Sequence, residues 1–226
     1  MAATLDNDNF AHMSEYDAED PAQAAADYEA YLAGRKPIVA LLERLKVSTH
    51  ELRTKVRFNW AGQKLNDRDC ETLAGLFKGN TQFTVNPSLA NLGLDNNLIG
   101  DAGLSAIAEV LKISNSMFKH TTHIWLNGNR FGDEGVTALA EALAAGALPK
   151  PQKLYLNDNQ IADEGAFALA KTIQFCHEEL ARFRFLYLGN NNISEAGKAA
   201  INSAVAKRNR IEVIYDNQRP GSPGPM

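Results

Sequence analysis

The sequence predicts an α/β solenoid built from repeated strand–helix units. Three observations carry this prediction. A frame of 12 residues occurs four times, at 92–103, 124–135, 154–165 and 186–197. The copies are 32, 30 and 32 residues apart, counted at Leu94, Leu126, Leu156 and Leu188. Each copy is followed by an Ala-rich run whose apolar residues recur four apart, the spacing of one helical face.

The frame is clearest at Leu154-Tyr155-Leu156-Asn157-Asp158-Asn159-Gln160-Ile161-Ala162-Asp163-Glu164-Gly165. Its apolar-any-apolar triplet is a short strand with one side buried. An Asn follows where the chain must turn: Asn97, Asn129, Asn159 and Asn191. Its amide both donates and accepts, so it can satisfy backbone groups in its own turn and in a neighbouring coil. This frame resembles that of the leucine-rich repeat family, and the longer, helix-bearing copies are similar to its ribonuclease-inhibitor-like class. The resemblance implies a short horseshoe with parallel strands on the concave face and α-helices on the convex face. It also implies that the four Asn form a buried structural ladder. The period is slightly longer than the usual 20–29 or so residues.

Length suits one domain with tails. No apolar run is long enough to cross a membrane, and no secretory signal or mitochondrial address opens the chain. Cys70 and Cys176 fall on predicted helices several repeats apart, too far to bridge, and are expected as reduced thiols. These features point to the cytosol, with the nucleus as alternative. The net charge of −4 is uneven. Residues 1–30 hold eight acids and no Lys or Arg, which leaves 23 basic and 19 acidic residues in the remainder.

The elements follow in order. Residues 1–20 lack periodicity and read as a disordered acidic arm. Residues 21–54 read as a helical cap over the first coil. Within it, Pro21 opens one helix that Gly34 ends, and Pro37 opens a second whose Ile38, Leu41, Leu42 and Leu45 share a face. The repeat domain spans 55–217, about five repeats and a final strand. Val56-Arg57-Phe58 is expected as a degenerate first strand, with Ala61 in place of the Asn and two further residues before Leu65. A long loop, Gly79 to Pro87, precedes the second strand. Later helices turn Ile107 and Leu111, Leu139 and Leu143, Leu169 and Ile173, and Ile201 and Val205 inward. Ala74, Ala108, Ala140 and Ala170 let adjacent helices sit close. Asp67, Asp101, Asp133 and Asp163 stand at helix starts and read as caps. Arg210 to Tyr215 is expected as the last strand, and the Pro/Gly-rich 218–226 as a disordered tail.

The side chains facing out from the sheet are the candidate site. The position between the strand apolars reads Arg57, Gly93, Trp125, Tyr155, Tyr187 and Glu212. The position before them reads Lys55, Asn91, His123, Lys153, Phe185 and Arg210. Asn127, Asn157 and Asp158 follow the strands. An exposed Trp–Tyr–Tyr row with polar and basic margins predicts a protein-binding surface, since Trp, Tyr and Arg dominate interface hot spots. The alternative is that the rings simply pack on one another.

No catalytic constellation is visible, and no cofactor is expected. His120 and His123 have no Cys or acid cluster beside them, so no metal site is expected. The Asn/Asp-rich turns lack the ligand spacing of a calcium loop. The thin basic margin and the acidic arm argue against nucleic acid. The resulting reading is a non-enzymatic interaction module or scaffold for a protein partner. The family resemblance supplies two alternatives: a regulator of a small GTPase, since the Ran GTPase-activating protein is built from similar repeats, or a structural subunit of a larger assembly. Tropomodulin, a short stack of such repeats that binds actin, is also similar in its repeats.

Overall fold

The computed structural model describes residues 36–78, 89–113, 118–146, 152–176, 178, 180–207 and 210–216. The acidic arm, the helix expected at 21–33, the loop at 79–87 and the tail lie outside them. Residues 36–45 are helical (α1), and Ile38, Leu41, Leu42 and Leu45 are its buried face. The chain breaks at Lys46, whose φ of 54° is left-handed. Ser48 then opens α2 (Thr49–Thr54): its hydroxyl accepts from the Glu51 N–H, and the Glu51 carboxylate accepts from the Ser48 N–H.

Five strand–helix units and a last strand follow. They are β1 (Arg57–Asn59), α3 (Asp67–Phe77), β2 (Asn91–Gly93), α4 (Asp101–Ile113), β3 (His123–Trp125), α5 (Asp133–Ala144), β4 (Lys153–Tyr155), α6 (Asp163–Phe175), β5 (Phe185–Tyr187), α7 (Glu195–Ala206) and β6 (Glu212–Ile214). The strands form one open parallel sheet in chain order, β1 to β6. Helices α3 to α7 pack side by side in the same order. The core lies between the two layers. Leu92, Ile124, Leu154 and Leu186 fill it from the strands; Leu111, Leu139, Leu169 and Ile201 fill it from the helices. Ala74, Ala108, Ala140 and Ala170 are buried where helices meet, and the Thr172 hydroxyl donates across that seam to the Ala140 carbonyl at 3.2 Å.

Both terminal strands sit two residues away from the register expected from the sequence. Phe58, not Val56, pairs with Leu92, and Val213, not Ile211, pairs with Leu186. Trp60 therefore takes the core position of Leu94: it is 2% exposed, and its N–H reaches the Gly93 carbonyl as that of Leu94 reaches Trp125. Val56 is 44% exposed. The first copy then has no insertion. Leu65 follows Trp60 by the interval that separates Ile99 from Leu94, and Gln63, not Ala61, stands at the Asn position.

Candidate protein-binding face

Side chains alternate along a strand, so those not in the core stand on the open face of the sheet. Strand register sorts them into columns. The first column is Arg57, Asn91, His123, Lys153, Phe185 and Glu212. The second is Asn59, Gly93, Trp125, Tyr155, Tyr187 and Ile214. Arg57 thus lies on the basic margin rather than in the aromatic row, and Glu212 moves with it. Lys55 and Arg210 lie outside the strands; Lys55 instead pairs with Glu51 at 2.6 Å.

Trp125, Tyr155 and Tyr187 form a continuous stack. The Trp125 and Tyr155 centroids are 5.6 Å apart and nearly parallel; those of Tyr155 and Tyr187 are 4.5 Å apart. The stack hides its middle member. Tyr155 is 4% exposed, whereas Trp125 and Tyr187 are half-buried. The expectation of three exposed rings fails at Tyr155 because strands about 4.8 Å apart leave a ring flanked by two others no free face. Burial pushes its phenol up to about 12. His123 lies 5.3 Å from Trp125 in the same strand, and the Lys153 ammonium sits 5.1 Å over Phe185. Burial, with Lys153 and Arg57 nearby, holds His123 below the usual imidazole value, so it is neutral at pH 7.

A third column continues the open face beyond the strands: Asp95, Asn127 and Asn157, each two residues after the second. In all three, one side-chain oxygen is buried and has no hydrogen-bond partner among the described residues. Asp95 is 4% exposed, and burial raises its pKa; its other oxygen accepts from Asn96 at 2.8 Å. Asn157 donates to Asp158 at 2.6 Å, and Asp158 accepts from Asn190 of the next coil at 2.7 Å. The face therefore has a basic margin, an aromatic centre and an acceptor-rich margin. The repeat frame already aligns Asp95 with Asn127 and Asn157; the structure adds that their oxygens are buried without a partner among the described residues.

The Asn residues join coil to coil. Asn129 Oδ1 accepts from the Ile99 N–H at 3.1 Å, while its amide donates to the Leu94 and Leu126 carbonyls at 2.9 Å. Asn97, Asn159 and Asn191 repeat this pattern, each bridging its own coil and the preceding one. These amides are committed to the backbone and are not available to a ligand.

A family model described as Leucine Rich repeat matches residues 85–108, 122–140 and 152–170. Each matched stretch covers one strand of the open parallel sheet, β2, β3 or β4, and the first part of the helix behind it. The fold is a leucine-rich repeat solenoid. Solved structures are similar to it. The actin-binding site 2 of leiomodin-1 aligns with 66% of this chain and 79% of its own, at 18% identity and a TM-score of 0.50. An internalin from Listeria monocytogenes aligns with 66% of this chain and 38% of its own, at 18% identity and a TM-score of 0.33. At 18% identity the likeness to the leiomodin-1 domain is one of fold alone. No curated protein matches the chain.

A second ladder fixes the repeat on the helix side. Asp101 does not cap its own helix; its Oδ1 accepts from the Gly132 and Gly135 N–H groups at the start of the next, at 2.7 and 2.8 Å. Asp133 does the same for Ala162 and Gly165, and Asp163 accepts from the Ser194 N–H and hydroxyl. This corrects the expectation of caps within each helix. It also explains the Gly of the frame: a Cβ on Gly165 would lie 2.7 Å from Asp133 Oδ1. Among the described residues no Asp of a preceding coil reaches the first repeat, and Asp69 occupies the Gly position there. Asp69 completes a capping box with Asn66 and pairs with Arg44 at 2.6 Å.

Among the described residues no three His, Cys, Asp or Glu side chains group as metal ligands. No described helix is long and apolar enough to span a membrane. Cys70 is buried, and Cys176 is half-buried on the helix side.

Proposed function

We propose that this solenoid is a non-enzymatic interaction module that holds a protein partner on its concave face. Trp125, Tyr155 and Tyr187 form the centre, Arg57, His123, Lys153 and Phe185 one margin, and Asn127, Asn157 and Asp158 the other. The observation that carries this reading is the stack itself. Two half-exposed rings, Trp125 and Tyr187, are held rigid by a buried third on a sheet that needs no ordering to bind. Within the repeat family we place the chain in the helix-bearing, ribonuclease-inhibitor-like class, because α4 to α7 each run 12 or 13 residues.

The test is affinity capture from native lysate with wild type beside Trp125→Ala/Tyr187→Ala. Tyr155 is left intact because it is buried. Equal circular dichroism establishes that both proteins are folded. A partner bound by wild type and lost by the variant supports the reading; partners retained by the variant overturn it. Hot-spot truncation of this kind weakens binding by about 2 kcal/mol or more per ring, roughly 30-fold. The similar leiomodin-1 domain is an actin-binding site, which makes purified actin the first defined partner to assay, by co-sedimentation.

A further inference from the structure

The last repeat differs from the others in charge. Residues 180–211 contain Arg182, Arg184, Lys198, Lys207, Arg208 and Arg210; Glu178, Glu179 and Glu212 lie just outside, and one acid lies within, Glu195. That acid is already paired with Lys198 at 2.8 Å. The chain as a whole is negative, so this cationic surplus is local.

Three of these cations line one open cavity. It lies at the lower ends of β5 and β6, between the segment entering β5 and the segment entering β6. Arg184, Lys207 and Arg210 line it, with Leu180, Phe183 and Ile211 as apolar wall. Leu180 and Phe183 are buried and fixed by the core. Arg184 is also fixed: its Nη1 donates to the Ala181 carbonyl at 3.2 Å and the Phe183 carbonyl at 2.9 Å. A guanidinium carries five N–H donors, so donors remain on its other edges. No Asp or Glu among the described residues pairs with Arg184, Lys207 or Arg210. Lys207 is the C-cap of α7, where the helix dipole offsets part of its charge.

We propose that this cavity is a binding site for a phosphate monoester carried on an apolar or aromatic group. Three cations around one cavity favour a compact dianion over a single carboxylate, because a monoanion leaves most of the charge unbalanced. A planar guanidinium already held in place matches phosphate oxygens in a bidentate manner. Ala181 and Ile211, over a floor formed by the buried Leu180 and Phe183, give the organic part of the ester a small apolar surface to cover, which a bare inorganic ion cannot use. The site lies in the last coil, its lining shares no residue with the Trp125–Tyr187 stack, and it does not depend on the concave face taking a partner.

The experiment is an NMR titration of the full chain with phenyl phosphate, inorganic phosphate and benzoate at low ionic strength. Phenyl phosphate is expected to shift the backbone amides of Phe183, Arg184, Lys207, Arg210 and Ile211 saturably and to bind more tightly than either other probe. In Lys207→Gln/Arg210→Gln its affinity should fall by about tenfold or more, the loss of two charge-assisted contacts. Both positions are exposed, so this variant keeps the fold, and unchanged spectra elsewhere establish that. Inorganic phosphate binding as tightly as phenyl phosphate overturns the organic-group part of the proposal. Benzoate binding equally well overturns the phosphate part. Absence of saturable shifts at these amides, or equal affinity in the variant, overturns the site.

Discussion

The inner coils and the first coil are built on one frame but solve its ends differently. In an inner coil, Asn129 and Asp133 each serve a neighbour: Asn129 bonds back to the preceding coil and Asp133 forward to the next. The first coil has no predecessor. Gln63 stands at its Asn position, is exposed, and among the described residues its amide donates to the Ala61 carbonyl of its own coil at 3.4 Å. Asp69 stands at its Gly position and serves its own helix and Arg44 of the cap. The comparison teaches that a repeat residue is conditional. Asn and Gly are needed where another coil approaches, and other residues suffice where none does.

Substitutions can break this contrast. The largest effect is expected at the inner Asn. Asn129→Ala leaves a buried N–H and two buried carbonyls without their partner, and should cost roughly 3 kcal/mol or more in urea unfolding. Gln63→Ala at the matching outer position should change stability by about 0.5 kcal/mol or less. Equal losses at the two positions would contradict the conditional reading.

Next comes Gly165→Ala, expected to cost about 2 kcal/mol, because the new Cβ displaces the Asp133 carboxylate from two N–H groups. In Asp133→Ala/Gly165→Ala the two losses should sum to clearly more than the measured total, since the clash is gone. Strict additivity would show that Gly165 is needed for another reason. Asp69→Ala should cost about 1 kcal/mol, the usual worth of a helix cap with a part-exposed ion pair.

The smallest effect is one of pH. Burial raises the Asp95 pKa in the folded protein. Between the unfolded carboxylate value and that raised value, the folded state holds more protons. Stability therefore falls as pH rises through this window. Asp95→Asn should remove that part of the slope in unfolding measured from acid to neutral pH. An unchanged slope would show that Asp95 is not the group responsible.

The inner repeats were legible because several constraints coincide in them: a strand triplet, an Asn, a Gly and an interval to the helix. The terminal strands carried only the triplet, and side chains alternate with a period of two. A shift by two keeps every residue on its face, so Val56/Phe58 and Phe58/Trp60 are equally good on pattern. The same holds for Ile211/Val213 and Val213/Tyr215. The interval from Trp60 to Leu65 was the missing arbiter, since it repeats that from Leu94 to Ile99. The aromatic row was legible as a row. Its accessibility was not, because the burial of Tyr155 depends on rings from two other strands. The basic cavity needed the third dimension as well, for it joins two segments that sequence separates by some twenty residues.

The two ladders have a consequence for how such a chain can grow. Asn and Asp must meet their counterparts in the adjoining coil, so the span from strand through the helix start keeps one length throughout: Leu92 to Gly103, Ile124 to Gly135, Leu154 to Gly165, Leu186 to Gly197. The changes of period, 32 to 30 to 32, fall between the Gly of one copy and the strand of the next, shared between the helix and the stretch that follows it. That stretch is where residues can be added or removed without taking either ladder out of register.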